Sequence, residues 1–105
     1  MDIAADNILT RFRAALDGLY GECLDRAVLF GSRARGEAGP GSDYDIAVFL
    51  KSMPDRWVEL DRLADLRVRF LDETGAFFDA KPHGPEAAED TSLLMHEIRS
   101  QGVEL

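Results

Sequence analysis

One cysteine, Cys23, stands among 105 residues. A lone thiol excludes an intramolecular disulfide and any zinc site built on several cysteines. Long apolar runs are missing too. The longest, Ile46-Ala47-Val48-Phe49-Leu50, has five residues, whereas a membrane-spanning helix needs about 20. The opening Met-Asp-Ile-Ala-Ala-Asp lacks the apolar stretch of a secretory signal. These absences predict a cytoplasmic protein with no membrane partner. Basic residues are scarce. Twelve Lys and Arg against 20 Asp and Glu leave a net charge of −8, the wrong sign for direct contact with a nucleic-acid backbone. Repeats, low-complexity tracts and linkers are absent, so one domain over residues 1–105 is expected.

What is present is 46% hydrophobic and 30% charged, a globular mix that excludes wholesale disorder. The acid excess is uneven. From Arg26 to Arg35 the chain carries three arginines and no acid, a locally basic turn suited to a small anionic ligand.

Residues 5–21 read as an amphipathic helix, with Ile8, Leu9, Phe12, Leu16, Leu19 and Tyr20 at spacings of three and four and Gly21 at its end. Ala27-Val28-Leu29-Phe30 is a short apolar run stopped by Gly31, as in a buried strand. Residues 37–42 are loop by composition. A second strand follows at 44–50. Pro54 opens a long helix whose apolar face is Trp57, Leu60, Leu63, Ala64, Val68 and Leu71, with Gly75 as its stop. Residues 76–80 form a third strand, closed by Pro82. A last helix is expected over 91–101, with Leu94, Met95 and Ile98 inward and Gly102 ending it. The order is α-β-turn-β-α-β-α. A full helix between strands two and three makes them parallel, and the patternless link between strands one and two makes those antiparallel. The expected fold is α/β in composition and α+β in layout, a small mixed three-stranded sheet flanked by helices.

That topology brings three segments to one sheet end: Gly31-Ser32 closing strand one, Asp43 and Asp45 opening strand two, and Asp79 early in strand three. Asp43 and Asp45, two apart, share a face. Clustered carboxylates repel and are costly to bury unpaired. A divalent cation removes the conflict, and Mg²⁺ favours one or two carboxylates completed by water and phosphate oxygens. Two such ions bridged by aspartates serve phosphoryl or nucleotidyl transfer. Gly31 lets phosphate approach the backbone, Ser32 offers a hydroxyl and an N–H, and Arg33 or Arg35 adds charge-assisted bonds. A Gly-Ser turn alone is usually only a turn, and an Asp-x-Asp pair alone at a strand start is more often capping or solvated than metal-binding. Their combination, with ten residues between Ser32 and Asp43, carries the reading.

Gly31-Ser32-Arg33-Ala34-Arg35-Gly36 followed by Ser42-Asp43-Tyr44-Asp45-Ile46-Ala47-Val48 resembles the signature of the DNA polymerase beta-like nucleotidyltransferases, with Asp79 where their third carboxylate is expected. The length points to their minimal members, the MNT proteins. The resemblance implies the nucleotidyltransferase fold. It implies catalytic and metal-binding roles for Asp43, Asp45 and Asp79, and nucleotide binding by Gly31, Ser32, Arg33 and Arg35. It implies two Mg²⁺ ions, with Mn²⁺ as a substitute, and ATP as substrate. It also implies a place as antitoxin in a HEPN/MNT toxin–antitoxin pair, where AMP is transferred from ATP to a tyrosine of a HEPN ribonuclease toxin bound as a hetero-oligomer. Two alternatives remain: an antitoxin acting by non-covalent binding, and a small-molecule nucleotidyltransferase working as an oligomer.

Other residues have plainer expectations. Cys23 is half-buried packing, and His83 lies in a loop close to the site. His96 is structural or interfacial, and Lys81 pairs with an acid or reaches a phosphate. Tyr44, pointing away from Asp43 and Asp45, is core or base-side packing, and Trp57 is core.

Overall fold

The computed structural model describes residues 6–39 and 41–105. Ala5, where the expected first helix begins, and Pro40 of the expected loop lie outside the described residues. Helix α1 spans Asn7–Tyr20, started by Asp6, whose Oδ1 accepts the Leu9 N–H at 3.0 Å. Leu9, Phe12 and Leu16 form its buried stripe. A 3₁₀ turn, Gly21–Cys23, leads into β1, Leu24–Phe30. Helix α2 is one turn, Gly31–Ala34, and β2 follows at Tyr44–Leu50. Helix α3 spans Arg56–Thr74. Asp55 caps its start, and Gly75 ends it in the left-handed conformation. Strand β3 is Phe78–His83, α4 is Leu93–Gln101, and β4 is Val103–Glu104. No described helix is long and apolar enough to cross a membrane.

The sheet is mixed, as expected, but has four strands in the order β3-β2-β1-β4. β1 runs antiparallel to β2 and to β4, and β2 runs parallel to β3. The fourth strand is the chain end folding back on β1, where Val103 pairs with Leu29. Two residues are too short to leave a pattern in a sequence.

Both sheet faces are covered. Against one, α1 and α3 build the main core from Phe12, Ile46, Leu63, Leu66, Phe70 and Phe78, among others. Phe78 stacks on Phe12 at 3.9 Å and on Tyr44 at 4.7 Å between ring centroids. Against the other face, α4 sets Met95 and Ile98 on Val28, Ala47 and Phe49.

Five expectations need correction. The buried stripe of α3 is Leu63, Leu66 and Phe70 with Glu59, not the one through Trp57, Val68 and Leu71. Trp57 is 76% exposed. Leu94 is also half exposed, while Met95 and Ile98 are inward. Pro82 lies within β3 rather than closing it, opposite Val48 on the edge strand, where a missing N–H is tolerated. Its carbonyl accepts from Arg56 at 3.0 Å. His83 is therefore a strand residue, tilted against the Phe49 ring, and not part of a loop. The last helix begins at Leu93, after Ser92 caps the Met95 N–H at 3.2 Å, rather than at Thr91.

Candidate active site

Strand alternation decides which side chains meet. Asp45 lies between Tyr44 and Ile46, both in the main core, and so faces the α4 side. In the parallel register Asp45 is the direct neighbour of Asp79, and Ala47 of Lys81. Asp79, Lys81 and His83 therefore share the face of Asp45. They line a pocket of about 510 Å³ together with Gly31, Ser32 and Arg35 from the turn after β1. Leu94 and Glu97 of α4 form its wall opposite the sheet, and Arg56 enters from the start of α3.

Gly31 has φ 76°, in the left-handed region. A Cβ built there would collide with Oδ2 of Asp45. The position is glycine for two independent reasons, and its bare backbone gives the pocket a floor beside the carboxylate.

Charge in the pocket is two-sided. Burial is the main cause that raises the Asp45 pKa, followed by the carboxylates of Asp79, Asp43 and Glu97. Against them stand Lys81, whose Nζ lies 3.0 Å from Asp79 Oδ1, and Arg35. The Arg35 guanidinium donates to Glu37 at 2.9 Å, to Glu97 at 3.1 Å and to Gln101 at 3.4 Å. Burial lowers the His83 pKa, helped by Arg56.

Asp43 is exposed at the sheet end, two residues before Asp45, and contributes to the Asp45 shift. Arg33 is elsewhere. Its Nε and Nη2 donate to the Ser42 carbonyl at 2.9 and 2.6 Å. Its guanidinium lies 3.9 Å from the Tyr44 ring centre, on the side away from Asp45. The structure thus gathers Gly31, Ser32, Arg35, Asp45 and Asp79 around one pocket. Asp43 is outside that lining and borders a separate cavity with Arg33, Ser42 and Tyr44, and Arg33 is engaged with the loop. Tyr44 is core, its hydroxyl donating to Asp6 at 3.1 Å.

Glu97 and Arg56 were not foreseen. Glu97 precedes the inward Ile98, but nothing in the sequence marks an acid 62 residues from Arg35 as its partner. Arg56 reads locally as a first-turn helix residue.

Carboxylate oxygens opposed to a bare glycine backbone suit a hard divalent cation in chemistry. Among the described residues no three His, Cys, Asp or Glu side chains form a ready-made cage. The counter-charge to Asp79 here is Lys81.

A family model for the nucleotidyltransferase domain matches residues 9–90. Two candidate protein adenylyltransferases of Methanocaldococcus jannaschii align with the chain. One is 36% identical over 67 residues, covering 63% of this chain and 46% of that protein. The other is 38% identical over 47 residues, covering 45% and 48%. The chain spans about half the length of these curated relatives. Among solved structures, a toxin–antitoxin with AMP-PNP gives a TM-score of 0.63 at 22% identity, over 94% of this chain and 72% of that one. A mutant of the MntA-HpeT toxin–antitoxin gives 0.61 at 20% identity, over 90% and 69%. At such identities the likeness is one of fold.

Proposed function

The chain belongs to the nucleotidyltransferase domain family, and from that premise we propose that it transfers AMP from ATP to a tyrosine hydroxyl of a partner protein, a HEPN-type ribonuclease toxin silenced by the mark. The observation that carries this reading is the pairing of Asp45 with Asp79 in adjacent parallel strands, at a pocket shared with Gly31, Ser32, Arg35 and Lys81. The candidate protein adenylyltransferases among its relatives support the reaction, and the fold shared with toxin–antitoxin proteins supports the partner. ATP as substrate and a ribonuclease as target imply action in the cytoplasm.

Asp43, Asp45 and Asp79 are the groups that would hold Mg²⁺ or Mn²⁺. Two such ions, when bound, supply charge neutralisation at the transferred phosphate and a more acidic attacking hydroxyl. The rest is done by the chain. Gly31 admits the triphosphate to the backbone, Ser32 donates its hydroxyl, and Arg35 and Lys81 supply positive charge. The tyrosine oxygen bonds to the α-phosphorus of ATP. The bond from that phosphorus to the bridging oxygen breaks, and pyrophosphate leaves. The tyrosine proton passes to a carboxylate. Asp79 is suited to take it, because Lys81 can exchange that carboxylate for a phosphate oxygen.

The test mixes the chain with a HEPN-type partner, ATP and Mg²⁺, and weighs the partner by intact-mass spectrometry. The expected result is one or more AMP groups on the partner, on tyrosine, and none with Asp43→Asn combined with Asp45→Asn. A double variant that suppresses the partner as well as wild type does, with no mass added, would establish non-covalent masking instead.

A further inference from the structure

We propose that Arg33 is a positioning residue for Asp43: its guanidinium fixes the peptide that carries the Asp43 amide and thereby holds this carboxylate in its place beside Asp45, at the edge of the sheet, without touching phosphate. The proposal rests on the nucleotidyltransferase reading for its consequence and on geometry for its substance.

A peptide unit is planar. The carbonyl of Ser42 and the N–H of Asp43 belong to the same plane, so gripping one orients the other. Arg33 grips that carbonyl with two nitrogens, at 2.9 and 2.6 Å. Two donors from one planar fork define direction as well as distance. The guanidinium is itself held from below by the Tyr44 ring, 3.9 Å from its centre. Tyr44 is buried, stacked on Phe78 and bonded through its hydroxyl to Asp6. The next peptide is fixed as well, because the Tyr44 N–H donates to the Phe77 carbonyl at 2.8 Å. Asp43 is thus bracketed by two anchored peptides.

The loop before it needs such an anchor. Residues 37–39 and 41–43 contain no regular element apart from a turn, and the turn is closed by Ser42 bonds to Gly39 at 3.1 and 3.2 Å. Without Arg33, Asp43 would hang at the end of that loop on one side. Arg33 and Arg35, two residues apart, therefore divide the labour: Arg35 faces the pocket, and Arg33 faces the other side of the strand opening.

The test uses the whole chain and the variants Arg33→Lys, Arg33→Met and Arg35→Met. Backbone ¹⁵N relaxation reads the anchor directly. We expect the Asp43 amide order parameter to be near 0.85 in wild type and to fall below about 0.6 in both Arg33 variants, with the Ile46–Leu50 amides unchanged. An Asp43 amide as ordered in Arg33→Met as in wild type overturns the proposal. Titration with Mn²⁺ in the presence of AMP-PNP then reads the consequence. Positioning groups behind metal ligands are worth about 10–100-fold in metal affinity or activity, and a loss of that size is expected for both Arg33 variants. AMP-PNP affinity in EDTA should stay at the wild-type value for these and drop for Arg35→Met. An equal drop for Arg33→Met would make Arg33 a phosphate ligand and overturn the proposal. So would full Mn²⁺ affinity in Arg33→Lys, since charge alone would then suffice. In a transfer assay kcat should fall while KM for ATP holds. A wild type that binds neither Mn²⁺ nor AMP-PNP defeats the nucleotidyltransferase reading, whereas the anchor stands or falls on the relaxation data.

Discussion

Burial and the carboxylates of Asp79, Asp43 and Glu97 raise the pKa of Asp45 above its ordinary 3.8. A raised carboxyl pKa means that the folded chain binds the proton more tightly than the unfolded chain does. The stability linked to Asp45 is therefore fully present below the ordinary value and is lost as pH rises through the raised one. At neutral pH the residue works against the fold, as functional carboxylates often do. Asp45→Asn removes that cost and the pH dependence with it. Without metal, the variant should melt above wild type at pH 7, and the gap should close as pH falls towards 3.8. His83 contributes with the opposite sign, since its lowered pKa gives stability that is lost as pH falls, but it does so in both proteins and cancels in the difference. Paired calorimetric scans across that range check the prediction. A lower melting temperature for Asp45→Asn at pH 7 would make Asp45 a structural acceptor. The Asp-x-Asp motif was legible because strand alternation is enough to aim its second member. The role of Arg33 was not, because only tertiary structure shows that Tyr44 waits beneath it on the far side of the strand.

Helix α3 carries two apolar stripes, and periodicity defines the spacing of a stripe but not which one is buried. One runs through Leu63, Leu66 and Phe70 and meets the sheet. The other runs through Trp57, Ala64, Val68 and Leu71 and lies open, ending beside Phe77 and a cavity of about 250 Å³. The fold follows the first because Phe70 meets both Phe12 and Phe78 edge-on, at 5.1 and 5.5 Å. Phe70→Ala should accordingly cost about 3–5 kcal/mol, and Trp57→Ala should stay within about 0.5 kcal/mol. Urea titrations of the two variants measure both, and similar losses would mean that Trp57 is packed in solution. The same logic explains what else was legible. The β2 run was plain because it is buried on both faces. β1 starts three residues earlier than its apolar run because Asp25 and Arg26 point outward around a bulge. β3 runs on through Pro82, which only its place on the sheet edge permits. The parallel crossover between β2 and β3 followed from the length of the helix between them, and that crossover is what sets Asp79 beside Asp45.

The whole chain carries a net charge of −8, while its pocket holds the cations Arg35 and Lys81 among acids. These two features act at different ranges. The net charge is felt across solvent, before contact. There it would draw in any basic partner, and it is screened by salt, with a Debye length of about 10 Å at 0.1 M ionic strength and about 3 Å at 1 M. Pocket charges act at hydrogen-bond distance, where salt reaches them far less. A ribonuclease surface built to hold RNA is basic, so if the partner is the ribonuclease proposed above, its association with this chain should be electrostatically steered. The two ranges separate in one experiment. AMP transfer to the partner is followed across a salt series at partner concentrations far below and far above half-saturation. At low concentration the rate reports on association, and it should fall steeply with salt. At saturation it reports on the bound complex, and it should change little. Equal falls at both concentrations would mean that salt disturbs the pocket itself. A flat response at both would mean that the acid excess plays no part in partner capture and serves only to keep the chain soluble.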